Sequence, residues 1–242
     1  MGLSYRGESP KIYIKEDNMS KAEVTFLDEL LNLDKSLSLS LSLSASKTAP
    51  LGNYRPHMKA LEYSCHGVFW ICGSIVGLWF ANTLQREAFF FNLILALFLD
   101  ILFVGILKAA FHRRRPSNNE ADDMFMTFSI DKMSCPSGHT SRAVLLTLLL
   151  VASSPGWGLL HLVLFTWCTC TCASRVLLGR HYVGDVCIGV VLGYFEYQLM
   201  NVLWAGPETA DCYIENLHSS QTSTTHTQTR LTLRPLFVFL FT

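Results

Sequence analysis

An all-α fold, a polytopic integral membrane helical bundle of about five spans, is predicted by three features of this sequence. Half of its 242 residues are apolar and only 16% are charged, a balance that leans toward membrane proteins. Several apolar runs approach or reach the roughly 20 residues that a helix needs to cross a bilayer. The first twenty residues mix Arg6, Glu8, Lys11, Lys15, Glu16 and Asp17 without an apolar leader, so the first span is expected to serve as the anchor.

Residues 1–24 are polar and expected to be disordered. Residues 25–65 read as an amphipathic membrane-surface segment and linker. Serine and leucine alternate from Ser36 to Ser44, a period that suits a strand, yet Leu33, Leu37 and Leu41 also share one helical face. An isolated strand at a membrane surface leaves backbone groups unpaired, so a helix lying on the bilayer is expected, with a low-complexity linker as the alternative. Residues 66–204 hold the expected spans: His66 to Leu84, Phe89 to Leu107, Ser137 to Ser153, Trp157 to Ala173 and Tyr182 to Trp204. Residues 205–242 form a tail, largely disordered by composition, whose run from Leu236 to Phe241 is too short to span.

Of the eight cysteines, Cys72, Cys168, Cys170, Cys172 and Cys187 fall inside expected spans. There they act as small apolar side chains and not as a disulfide framework or metal site. Net charge is zero, but the basic residues are unevenly placed. Lys47, Arg55, Lys59, Arg113, Arg114, Arg115, Lys132 and Arg180 share one side of a five-span arrangement, against Arg86, Arg230 and Arg234 on the other. The positive-inside rule makes the first side cytosolic.

Three segments at that side carry the chemistry. His181 and Asp185 are four apart, so on a helix the carboxylate can accept one imidazole N–H and leave the other nitrogen to attack. Arg175, six residues upstream of His181, brings a guanidinium fork suited to phosphate oxygens. Pro136-Ser137-Gly138 reads as a tight turn opening a helix, so the N–H groups of Ser137 and Gly138 can face an anion, and His139 is placed to protonate a leaving oxygen. Lys108 closes an apolar helix and Arg115 follows before Pro116. Three cations around one phosphoryl group are what its transfer requires.

Together these segments resemble the signature of the type 2 phosphatidic acid phosphatase superfamily: Lys, six residues, Arg-Pro; Pro-Ser-Gly-His; and Ser-Arg, five residues, His, three residues, Asp. Every position is filled, from Lys108 to Asp185. The resemblance implies a phosphatidic acid phosphatase/haloperoxidase-like helical core and a phosphohydrolase without metal or other cofactor. In it His181 is the nucleophile that forms a phosphohistidine, Asp185 orients it, and His139 is proton donor and then base. Lys108, Arg115, Ser137, Gly138 and Arg175 bind the substrate phosphate. Context such as Arg113-Arg114-Arg115-Pro116, Asp131-Lys132 and Leu177-Leu178-Gly179-Arg180-His181 looks most like the polyisoprenoid diphosphate phosphatase branch, although Cys135 stands where an aromatic is usual.

That branch implies presqualene, farnesyl or geranylgeranyl diphosphate as substrate and the endoplasmic reticulum and nuclear envelope as location. The expected partners are the lipid phosphate and the bilayer, with no nucleic acid, and the sequence assigns no oligomeric state. The alternatives are a phosphatidic acid-type phosphatase and an inactive scaffold of the same fold. Elsewhere, Asp100, about 12 Å along a helix axis from Lys108, is expected to hold a neighbouring helix. His161 and Glu196 are expected to make ordinary buried hydrogen bonds. His112, Arg113 and Arg114 are expected to face lipid headgroups.

Overall fold

Apolar runs punctuated by Pro, Gly and Ser dictate a chain of helices, and a computed structural model describes residues 21–117, 133–210 and 214. The helices are α1 (Lys21–Leu41), α2 (Arg55–Ser64), α3 (Gly67–Phe80), α4 (Leu84–Phe111), α5 (Gly138–Ser153), α6 (Gly158–Leu177) and α7 (Val183–Leu203). Their ends follow local chemistry. Pro56 sits in the first turn of α2, where its missing N–H costs nothing. The Thr83 hydroxyl accepts the Arg86 N–H at the start of α4. At the other end of α4, His112 turns left-handed at φ 48° and its N–H returns to the Lys108 carbonyl.

Among the described residues three helices, α4, α6 and α7, are long and apolar enough to cross a membrane, and a bent unit made of Gly52–Ser64 and Gly67–Phe80 makes a fourth. The expected span at 66–84 is shorter than foreseen, while the helix at 137–153 has nearly its expected bounds but not the length of a full crossing. The first is a 14-residue helix ending in extended backbone at Ala81. The second is confined to 16 residues between the Pro136-Ser137 turn and Ser154-Pro155-Gly156. The Ser-Leu segment is helical, as its leucine face suggested, and it packs against α7 and α6. Phe26, Leu30, Leu33, Leu37 and Leu41 remain exposed on it, the spacing of one apolar stripe.

Helix α5 is the central element, packed on α6 and α7 with α4 alongside. Leu93, Ala96 and Leu97 of α4, Leu145, Leu146 and Leu149 of α5, and Met200 of α7 form its core. Gly189 and Gly193 allow the approach of α7: a Cβ at Gly189 would lie 2.8 Å from the Ser137 carbonyl oxygen, and one at Gly193 would lie 2.9 Å from Val144 Cβ. Large apolar residues such as Phe98, Leu102, Leu162, Phe165, Val191 and Phe195 point outward, whereas Asn92, Asp100, Arg142 and Glu196 are inside. This inverted distribution suits a bundle whose solvent is lipid. Asn92 fastens α4 to the end of α7 by donating to the Ala205 carbonyl and accepting the Ala205 N–H, each at 2.9 Å.

Asp100 performs the helix-holding role expected of it: it accepts Ser141 Oγ at 2.7 Å and Arg142 Nη2 at 2.5 Å, both from α5. His161 bonds the Ser154 carbonyl at 2.9 Å, again as expected. Glu196 departs from expectation, since neither carboxylate oxygen has a hydrogen-bond partner among the described residues. Residues 21–24, expected to be disordered, are the first turn of α1, and 207–210 of the tail are also helical; the rest of the expected disorder, in residues 1–20 and in nearly all of 211–242, lies outside the described residues.

Candidate active site

Alternation of helix direction brings the three motif segments to one end of the bundle. Lys108 lies in the last turn of α4 and Arg175 in the last turn of α6, while Ser137 caps the start of α5 and Asp185 stands in the first turn of α7. Lys108, Ser137, Arg175, His181 and Asp185 are buried, and Gly138, His139 and Arg115 are partly exposed. Helix C-termini would carry partial negative charge, so Lys108 and Arg175 also suit the ends they occupy.

His181 sits in the turn between α6 and α7, 3% exposed. Its Nδ1 bonds the Ser134 carbonyl oxygen at 2.7 Å, which leaves Nε2 as the remaining ring nitrogen. Burial first, then the charges of Arg115, Lys108 and Arg175, hold the imidazole well below its usual range, so the ring is neutral at pH 7. These are the same three cations that the sequence motifs specify. On the other side, His139 is surrounded by Arg175, Arg142, His181 and His66, with the His66 ring centroid 6.4 Å away. Its Nε2 has no hydrogen-bond partner among the described residues.

Two expected roles change in detail. Asp185 is not the short partner of the His181 imidazole: its Oδ2 lies 3.9 Å from Nδ1 and accepts the Tyr182 N–H at 2.9 Å, while Oδ1 accepts Arg113 Nη1 at 2.7 Å. A carboxylate in the first helical turn is drawn to orphan backbone N–H groups, and here that local demand wins over the imidazole four residues back. Ser137 does not present its N–H to an anion, because that group donates to the Asp185 backbone carbonyl at 3.1 Å. The Ser137 carbonyl takes the N–H groups of Thr140 and Ser141, so the first-turn donors left for a ligand are those of Gly138 and His139.

Arg113 also departs from expectation: it is 9% exposed and does not face headgroups. It joins Asp185 at 2.7 Å and Asp34 at 2.6 Å, and its guanidinium lies 4.0 Å from the Tyr182 ring centroid. Its charge is met by two carboxylates, which hold it more firmly protonated despite burial. Arg114, by contrast, is exposed. Sequence reasoning missed Ser134, whose backbone carbonyl carries no residue-type signal, and Glu62. The buried Glu62 carboxylate lies 3.5 Å from Arg175 Nη1 and 3.7 Å from Arg180 Nε, an arrangement that holds both guanidinium groups beside the His181 turn.

A buried neutral imidazole, ringed by cations and faced by a second imidazole, is equipped for covalent transfer of an anionic group. The PAP2 superfamily profile matches residues 89–204, the stretch from α4 to just beyond α7. The chain is 34% identical over 146 residues to a protein of Arabidopsis thaliana described as probable lipid phosphate phosphatase beta, covering 50% of this chain and 68% of that one. Among solved structures, Aquifex aeolicus LpxE superimposes with a TM-score of 0.50 at 20% identity, covering 77% of this chain and 98% of that chain, a likeness of fold. With its bundle, its membrane-spanning helices and these relatives taken together, the chain belongs to the PAP2 superfamily and is an integral membrane phosphoric ester hydrolase.

Proposed function

We propose that this protein is a lipid phosphatase that hydrolyses polyisoprenoid diphosphates and monophosphates, such as presqualene, farnesyl and geranylgeranyl diphosphate, through a phosphohistidine and without a metal ion. The observation that carries the reading is His181: neutral, fixed through Nδ1 on the Ser134 carbonyl, and faced by Lys108, Arg115 and Arg175. Nε2 attacks phosphorus as the P–O bond to the leaving group breaks, and His139 gives its proton to the departing oxygen. Water then attacks the phosphohistidine, His139 takes the water's proton, and the N–P bond breaks to release phosphate and free His181. Lys108, Arg115, Arg175 and the first-turn N–H groups of α5 stabilise the charge on the equatorial oxygens throughout. Asp185 acts on His181 through the turn that it caps.

The substrate class follows from placement. The site lies at one end of helices whose outer faces are apolar, so a phosphate can enter the cation cluster while an attached hydrocarbon tail stays in lipid. The basic residues on that side favour a cytosolic site, and isoprenoid diphosphates made at the endoplasmic reticulum suit that orientation, at that membrane or the nuclear envelope. A phosphatidic acid-type substrate is the second reading; the description of the Arabidopsis relative, a probable lipid phosphate phosphatase, fits either class.

The test is phosphate release by purified protein in detergent with EDTA, from farnesyl diphosphate, presqualene diphosphate and phosphatidic acid, for wild type and His181→Ala. EDTA-resistant release from the isoprenoids that disappears in the variant supports the reading. Preference for phosphatidic acid keeps the mechanism and discards the substrate, and EDTA-sensitive or His181-independent release discards the mechanism.

A further inference from the structure

We infer that helix α1, which lies outside the matched superfamily region, is a working part of this site, and that Asp34 is a positioning residue for the nucleophile. The inference rests on the reading of His181 as nucleophile. Asp34 reaches the catalytic turn by two routes. Its Oδ1 accepts the Gly184 N–H at 2.9 Å, satisfying an orphan first-turn donor of α7 from a residue 150 positions away. Its Oδ2 accepts Arg113 Nη2 at 2.6 Å. One turn on, Ser38 Oγ accepts the Val183 N–H at 2.9 Å while donating to the Asp34 carbonyl at 2.6 Å. Two successive N–H groups at the start of α7 are thus capped by α1 and not by their own chain segment.

Arg113 carries the effect to the imidazole. Its side chain joins Asp34 to Asp185, and its backbone carbonyl accepts the Ser134 N–H at 2.7 Å. Ser134 in turn offers the carbonyl that fixes His181 Nδ1 at 2.7 Å. The Asp185 carbonyl holds the Ser137 N–H at 3.1 Å, so the same chain of bonds reaches the turn that carries His139. Every link is a charge-assisted or backbone hydrogen bond, and those from Arg113 to Asp185 and from His181 to Ser134 are buried, where such bonds hold geometry tightly. The fit leaves no room: a Cβ at Gly184 would stand 2.9 Å from Asp34 Oδ2.

The experiment measures kcat, KM and the pre-steady-state rate of His181 phosphorylation for Asp34→Ala, Asp34→Asn, Ser38→Ala, Gly184→Ala and the Gly184→Ala/Asp34→Ala double variant. His181→Ala runs alongside, and thermal unfolding of each detergent-solubilised protein is recorded. The expected result for Asp34→Ala is a fall of about ten- to a hundredfold in kcat and in the phosphorylation rate, as for a misplaced reacting group. KM should stay within about threefold, since the phosphate ligands are untouched. Asp34→Asn keeps an acceptor for the Gly184 N–H and is expected to recover part of the rate. Gly184→Ala is expected to match Asp34→Ala, and the double variant to be no worse than either, because the clash partner is gone.

Wild-type kcat in a folded Asp34→Ala protein, or additive losses in the double variant, would overturn the inference. So would a loss that only follows the folded fraction in both Asp34 variants. Full loss in His181→Ala with no effect at Asp34 would leave the nucleophile reading standing and remove this one, whereas activity retained in His181→Ala would remove both.

Discussion

Gly189→Ala tests whether the close approach of α5 and α7 sets the distance between His139 and His181. The added Cβ would lie 2.8 Å from the Ser137 carbonyl oxygen, 3.0 Å from Thr140 Cβ and 3.2 Å from Thr140 Cγ2. Unstrained contacts of this kind lie near 3.5 Å, so the helices must part by roughly 0.5 Å at that level. Two of the three crowded atoms belong to a buried β-branched side chain and one to backbone, so the strain cannot be relieved by swinging a flexible chain away. Overpacking of this sort costs about 1–3 kcal/mol. The moving part is the turn that carries His139, and an error of ~1 Å at a reacting group can cost about a hundredfold in rate. The expected fall in kcat is therefore about tenfold, with a smaller change in KM. Gly105→Ala is the control: it also lies within a helix, but its Cβ would meet nothing within 4 Å, and the gain in helix propensity of up to about 1 kcal/mol is expected to raise or preserve Tm. Phosphate release and thermal unfolding in the same detergent decide the matter. Wild-type kcat and Tm for Gly189→Ala would refute the argument that this contact fixes the site.

Three further outcomes are expected. Asp100→Ala strands Arg142 in the bundle interior, and loss of one partner of a buried pair costs about 3–5 kcal/mol; unfolding of Asp100→Ala and of Asp100→Ala/Arg142→Leu should show the double variant to be the more stable. His181 is held neutral when folded and has an ordinary value near 6.5 unfolded. Its contribution to stability is therefore present above pH ~6.5 and lost as the pH falls, so Tm should drop between pH 7 and pH 5 less steeply in His181→Gln than in wild type. Cys135 is buried and its thiol is pushed up to about 12, by burial and then by the charge of Asp185; native protein treated with maleimide at pH 7.4 should stay unlabelled at Cys135 by mass spectrometry, and should be labelled after denaturation.

What could be read from the residues alone depended on information carried by short stretches of chain. Apolar runs such as Phe89 to Leu107 specify helices in lipid because every backbone group must be satisfied within the segment. Local spacing placed Lys108, His139, Arg175 and His181 at helix ends, and the leucine face of the Ser36–Ser44 repeat correctly favoured helix over strand. Tertiary structure decided what those side chains touch. Arg113 sits in a basic run that resembles a headgroup anchor, and only the arrival of Asp34 from 79 residues away turns it inward. Ser134 fixes the His181 imidazole across 47 residues through a backbone carbonyl, a group every residue possesses and no sequence pattern marks. Asp185 kept its motif position but bonds a nearby N–H and Arg113 in preference to the imidazole. Sequence thus determined which chemical groups stand at the end of the bundle, because helix length and residue type are local properties. Their pairing was left to the packed structure, because burial makes each polar group take the best-placed partner among neighbours that only the fold brings within 3 Å.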